Sequence, residues 1–205
     1  MHDIDFFNSI APFWDNMEIL STPAKINYIL DRLDITDSQS VLDLGTGTGV
    51  LLPYLCSRTG EDGRITAVDF SDGMLDVARR KYGRLPQVCF VKCDFEHDDI
   101  DGHYDHILLY SVYPHLHHPA RTLGKLMGRN LKPDGKIIIA FPTDETFINT
   151  IHSGRRVNSS PLPPANELTQ RLRSEGFDAR TIESTHDAYI IELTAKRHTR
   201  EKTSA

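Results

Sequence analysis

Cysteine is scarce in this chain of 205 residues: only Cys56, Cys89 and Cys93 occur. Their spacing fits neither a disulfide framework nor a zinc ribbon, so they read as reduced thiols, mostly buried. No run of about twenty apolar residues is present, and no charged-then-apolar segment opens the chain. A membrane span and a secretory leader are therefore not expected, and the cytoplasm is the expected location. A basic surplus is missing as well. Lys and Arg number 23 against 29 Asp and Glu, and the net charge of −6 argues against a nucleic-acid partner. Internal repeats are absent. The remaining composition, 39% hydrophobic and 25% charged, is that of an ordinary globular protein, long enough for one α/β domain and short for two.

The stretch Val41-Leu42-Asp43-Leu44-Gly45-Thr46-Gly47-Thr48-Gly49-Val50-Leu51-Leu52 organises the rest. A short apolar strand runs into alternating glycines, and a helical pattern begins after them. Glycine suits a sharp turn whose backbone must approach a ligand closely. The N–H groups of such a loop can face a polar or anionic group. Asp43 would set a carboxylate beside it, at the strand end where open α/β sheets collect ligands. About twenty residues on, the strand Arg64–Phe70 carries Asp69, an acid suited to the two hydroxyls of a ribose. Val88–Val91 leads to Asp94, and Tyr104-Asp105 precedes a fourth strand, His106–Tyr110. The Leu131–Lys136 segment reads as a turn into a fifth strand, Ile137–Ala140. Acids at successive strand ends suit a ligand rich in hydroxyl and amine groups better than a pyrophosphate.

Taken together, "VLDLGTGTG", "ITAVDFSDGML", "KCDFE", "YDHILLY" and "LKPDGKIIIA" resemble the class I S-adenosylmethionine-dependent methyltransferases, and among them the ubiquinone/menaquinone-biosynthesis type. The likeness spans about Val41 to Phe141, and "SIAPFWD" is similar to that family's opening helix. It implies a Rossmann-like, seven-stranded, mostly parallel sheet with helices on both faces and an antiparallel last strand. It also implies S-adenosyl-L-methionine as cofactor and a small-molecule methyl acceptor. The cofactor contacts it implies are Asp43, Gly45, Thr46, Gly47, Gly49, Asp69, Phe70, Met74, Asp94, Phe95 and Tyr110. Asp94 would take the adenine amine, with Phe95 beside the ring. Two alternatives stay open: a nicotinamide-dependent oxidoreductase, which the loop spacing and the "LKPDG" turn disfavour, and a non-catalytic cofactor-binding protein on the same fold.

Residues 1–40 are expected to form lid and packing helices, 41–195 the core and 196–205 a frayed tail. The apolar crowd Ile4, Phe6, Phe7, Ile10, Phe13 and Trp14 marks an amphipathic opening segment. As a lid, its Phe13 and Trp14 would help wall the substrate pocket. Thr22 or Ser21 before Pro23 starts a helix through Ile26, Ile29, Leu30 and Leu33. Ser71 reads as the N-cap of the helix after Asp69. Glu96–Asp101 is a charge run expected to be solvated.

The substrate end is expected in the segment Tyr110–Pro119, which holds Tyr113, His115, His117 and His118. Neutral imidazole serves as a base near neutral pH or as a metal ligand. His117 and His118 are expected to face water; His115, nearest the strand end, is the functional candidate. His152 belongs to a stretch following the fifth strand, and adjacent strands release their loops at the same edge. His115 and His152 are therefore expected to converge on the acceptor, with Tyr113 and Arg155 as outer members of the pocket. No third ligand can be named, so no metal site is assigned.

Overall fold

The computed structural model describes residues 3–17, 20–153 and 159–195. Arg155 and residues 196–205 lie outside the described residues. The chain opens with α1 (Asp3–Ile10), a 3₁₀ turn (Ala11–Phe13), α2 (Trp14–Met17) and α3 (Pro23–Leu30). The alternation then begins: β1 (Ser40–Leu44), α4 (Leu52–Thr59), β2 (Arg64–Asp69), α5 (Asp72–Tyr82) and β3 (Val88–Lys92). It continues with β4 (Tyr104–Tyr110), α6 (Pro119–Arg129), β5 (Leu131–Phe141), α7 (Glu145–Ser153) and α8 (Ala165–Ser174), and closes with β6 (Asp178–Ser184) and β7 (Tyr189–Thr194).

The seven strands lie in the order β3-β2-β1-β4-β5-β7-β6. β1 to β5 pair in parallel, whereas β7 runs antiparallel to both β5 and β6. The order reverses between β1 and β4, which is where an open α/β sheet leaves a crevice beyond its strand ends.

Strand periodicity explains the two cores. Ile107, Leu109, Ile137 and Ile139 face one layer with Leu123 and Leu126 of α6 and Leu168 and Leu172 of α8. Leu108, Ile138 and Ala140 face the other, with Ile26, Ile29 and Leu30 of α3 and Leu52 and Leu55 of α4. Neighbouring residues of a strand thus bury opposite faces, as a sheet covered on both sides requires. α3 is part of this packing, so the covering layer of the sheet begins well before Val41. Its start is set by Thr22, whose hydroxyl accepts the Lys25 N–H at 3.4 Å, and by Pro23 in the first turn.

Two boundaries differ from the sequence expectation. β5 begins at Leu131 rather than Ile137. Its pairing with β4 steps from Tyr104↔Leu131 to His106↔Lys136, so the one residue between them on β4 faces four on β5. The expected Pro133-Asp134-Gly135 turn survives as this bulge inside a longer strand. His152, expected only to follow the fifth strand, lies in the last turn of α7.

Candidate functional site

A cleft of about 750 Å³, counting its open mouth, lies at the carboxyl ends of β1, β2 and β4. Asp43, Gly45, Thr46, Gly47 and Thr48 line it from the glycine loop, and Asp69, Phe70 and Met74 from the β2–α5 connection. Tyr110, Ser111 and His115 come from the end of β4, and Phe7, Trp14 and Ser21 cover it from the N-terminal segment.

The loop's amides turn inward. Thr46 N–H donates to the Val68 carbonyl at 2.9 Å and Gly49 N–H to the Thr46 carbonyl at 2.9 Å. Gly47 N–H, expected to face a ligand, donates instead to Asp69 Oδ2 at 2.8 Å. Gly47 needs its φ of +55°, and a Cβ there would meet nothing within 4 Å, because it would project into open space. Gly45 has a different constraint: a Cβ would lie 2.5 Å from the Val112 side chain.

Both lining acids are almost wholly buried. Asp43 Oδ2 accepts from the Thr46 hydroxyl at 2.7 Å. Asp69 Oδ1 accepts from Ser71 N–H at 2.9 Å, while Oδ2 serves Gly47. Burial raises each carboxyl to about 6, against the pull of these neutral donors. Among the described lining residues there is no Lys or Arg. The site therefore offers two buried carboxylates and no cationic partner for a phosphate. A ligand bearing positive charge and hydroxyl donors matches it; a pyrophosphate does not.

The N-terminal segment is tied to the loops after β2 and β1. Asn8 Oδ1 accepts from the Ser71 hydroxyl at 2.7 Å and from Gly73 N–H at 2.9 Å. Asp15 accepts from the Thr48 hydroxyl at 2.6 Å and pairs with Lys81 at 2.8 Å. Phe7 packs edge-to-face on Phe70, Trp14 and His115, with ring centroids 5.7, 5.9 and 5.8 Å apart. The His115 ring, which lines the cleft, stands 5.1 Å from that of His152, which is not among the lining residues. The juxtaposition expected from the strand order is present.

Other expected residues lie elsewhere. Phe13 is 63% exposed, because the 3₁₀ turn aims Trp14 rather than Phe13 inward. Gly49 fits under Leu52 and Tyr82, where a Cβ would come within 2.9 Å of both, so it serves loop packing. Phe95 and Tyr113 are packed in the core layer of α6 and α8. Asp94 is exposed, accepting from His97 Nδ1 at 2.9 Å and Glu96 N–H at 3.2 Å. His117 and His118 are exposed, as expected.

Glu96 departs from its expected solvation. Its side chain is only 9% exposed and accepts from the N–H groups of His117 and His118, from His117 Nδ1 and from the Thr122 hydroxyl. Burial opposes its ionisation, yet these donors outweigh it and hold the carboxyl below its ordinary range. Sequence reasoning also passed over Phe7, Ser21, Thr48 and Ser111 as lining residues. Thr48 stood within the glycine motif and was legible there. Ser21 meets the cleft through a 3.0 Å hydrogen bond to Tyr110, 89 residues away, and Ser111 adopts a φ of +59° that no local pattern announces.

Known proteins resemble this chain in sequence and in fold. A family described as a methyltransferase domain matches residues 41–135. A malonyl-acyl-carrier-protein O-methyltransferase of Acetivibrio thermocellus is 36% identical over 120 residues, 57% of this chain and 40% of the relative. A ubiquinone/menaquinone biosynthesis C-methyltransferase of Idiomarina loihiensis is 29% identical over 143 residues, 66% of this chain and 57% of the relative. The chain thus spans between 40% and 57% of the length of these two relatives. Among solved structures, the DhpI–SAH complex superposes with a TM-score of 0.73 at 22% identity, covering 93% of this chain and 94% of that one, a likeness of fold. Across residues 41–135 the chain is similar to a methyltransferase-domain family, and it shares the fold of the DhpI–SAH complex.

Proposed function

We propose that this protein transfers a methyl group from S-adenosylmethionine to a small-molecule acceptor. The observation that carries the reading is the cleft's electrostatics: two buried carboxylates, inward-turned loop amides and no lining cation among the described residues. The bound cofactor would supply an electrophilic methyl group on a sulfonium.

Asp69 would accept the ribose hydroxyls with the lone pairs that Gly47 and Ser71 leave available. Asp43 would favour the cationic end of the ligand. Phe70 and Met74 offer apolar surface to its ring, while Phe7 and Trp14 exclude water from above. Water exclusion and alignment supply much of the acceleration in a displacement of this kind. His115 and His152 would hold the acceptor, and where it has a proton to lose, an imidazole would take it. Arg155 would be an outer substrate contact.

No helix among the described residues is long and apolar enough to cross a membrane. Free thiols at Cys56, Cys89 and Cys93 support a reducing, cytoplasmic setting.

Calorimetric titration with S-adenosylmethionine, S-adenosylhomocysteine and NAD tests the cofactor; saturable binding of NAD alone would overturn it. Turnover to S-adenosylhomocysteine over a panel of small acceptors tests the reaction. His115→Gln and His152→Gln should each lower kcat on the acceptor that works, by about 10²-fold for a group in proton transfer. Full turnover in the double variant would remove the pair from the site.

A further inference from the structure

Glu96 connects two segments outside the cleft lining that the chain separates by 21 residues or more. On one side it belongs to the loop after β3. There its N–H donates to Asp94 Oδ1 at 3.2 Å, Asp94 N–H donates to Asp98 Oδ2 at 3.1 Å, and Phe95 is buried as the anchor. On the other side its carboxylate grips the start of α6. Oε1 accepts from His118 N–H at 2.9 Å and the Thr122 hydroxyl at 3.2 Å, and Oε2 from His117 N–H at 3.0 Å and His117 Nδ1 at 3.0 Å. The helix has no cap of its own, since His118 at the N-cap position makes no side-chain capping bond. A carboxylate from another loop therefore accepts from the two amides just ahead of the helix, at the end where negative charge is favoured.

The segment held this way carries His115. Between β4 and α6 it makes one 3₁₀ turn, Tyr113–His115, closed by His115 N–H to the Val112 carbonyl at 2.9 Å and Leu116 N–H to the Tyr113 carbonyl at 3.2 Å. Tyr113 and Leu116 are buried, which fixes the turn's inner side. The chain beyond it, His117-His118, is exposed and has no apolar anchor. Its two amides are taken by the Glu96 carboxylate, while on the turn itself Ser160 N–H donates to the carbonyl of buried Pro114 at 2.8 Å.

We propose that Glu96 is the positioning residue that sets His115 against His152, acting through the amides of His117 and His118. The proposal rests on the reading of the two histidines as the acceptor end of the cleft. A carboxylate that accepts from two consecutive amides fixes the direction of the chain as well as its position.

Imidazole signals of the intact protein saturated with S-adenosylhomocysteine test this without knowledge of the acceptor. Assigned through His115→Gln and His152→Gln, the two rings should show a through-space cross-peak in the parent protein. Glu96→Ala should lose that cross-peak while binding S-adenosylhomocysteine within about twofold of the parent. Glu96→Gln, which keeps one acceptor oxygen for His118 N–H and serves as the folded control, should retain a weakened one. His117→Asn removes only the imidazole contact and should leave the cross-peak intact. A cross-peak of parental strength in both Glu96 variants would overturn the clamp, as would its disappearance in His117→Asn with Glu96 present. Full turnover in the histidine variants would retire the acceptor reading instead, and leaves the cross-peak result standing on its own.

Discussion

Asp69 is the residue on which cofactor binding should depend most. Removing a charge-assisted acceptor costs roughly 1.5–3 kcal/mol, so Asp69→Ala should weaken S-adenosylhomocysteine binding on the order of tenfold to over a hundredfold in calorimetry. Asp69→Asn keeps one acceptor for the Gly47 or Ser71 amide and should lose less. Equal affinity in all three proteins would place the ribose elsewhere. The pH dependence has two opposite signs. Burial lifts Asp43 and Asp69 to about 6, and the Asp69 charge adds to the rise at Asp43. The folded carboxyl then binds its proton more tightly than the unfolded one, near 3.9, so the ligand-free protein should lose stability as pH rises from about 4 to about 6. Each carboxyl contributes up to about 3 kcal/mol to this, and nothing further above that window. Cofactor binding needs the ionised acceptor, so affinity should fall as pH drops below about 6, by at most tenfold per unit for one proton. Flat affinity between pH 5 and 7.5 would show that neither acid titrates with the ligand.

Among elements, the segment over the cleft is held by polar contacts more than by burial. Of α1, the 3₁₀ turn and α2, only Ala11 counts among the buried hydrophobic residues. Asn8 and Asp15 fasten it to the loops after β2 and β1. Elements with few buried contacts open locally at low cost. Asn8→Ala with Asp15→Ala should therefore speed release of S-adenosylhomocysteine several-fold in stopped-flow measurements and shift the thermal midpoint by only a few degrees. An unchanged release rate would mean that the cofactor leaves by a path the segment does not cover. In the glycine loop, Gly47→Val would force a β-branched residue to φ +55° and fill the cleft with its side chain. Cofactor binding should vanish while the circular dichroism spectrum persists; normal binding by this variant would show that the loop is not the cradle.

For the whole molecule, stability resides in the two apolar layers on the sheet faces. Ile138 is fully buried at the centre of β5, and its truncation to Ala should cost about 2–5 kcal/mol in denaturant unfolding. Phe147, 42% exposed on α7, should cost less than about 0.5 kcal/mol when truncated. A larger loss at Phe147 than at Ile138 would contradict this placement of the core. The sequence by itself determined the strands, the helices between them and the acids at the strand ends. Those depend on local periodicity, caps and glycine turns, which neighbouring residues encode. The approach of His115 to His152 was also legible, because parallel neighbours release their loops at one edge. Only the tertiary structure decided what each polar group does once there. Gly47 N–H turned to Asp69, Glu96 left solvent for α6, and Phe13 yielded the cleft to Trp14. A hydrogen bond between residues twenty or more apart is chosen by which partner desolvation leaves within reach, and no local pattern carries that information.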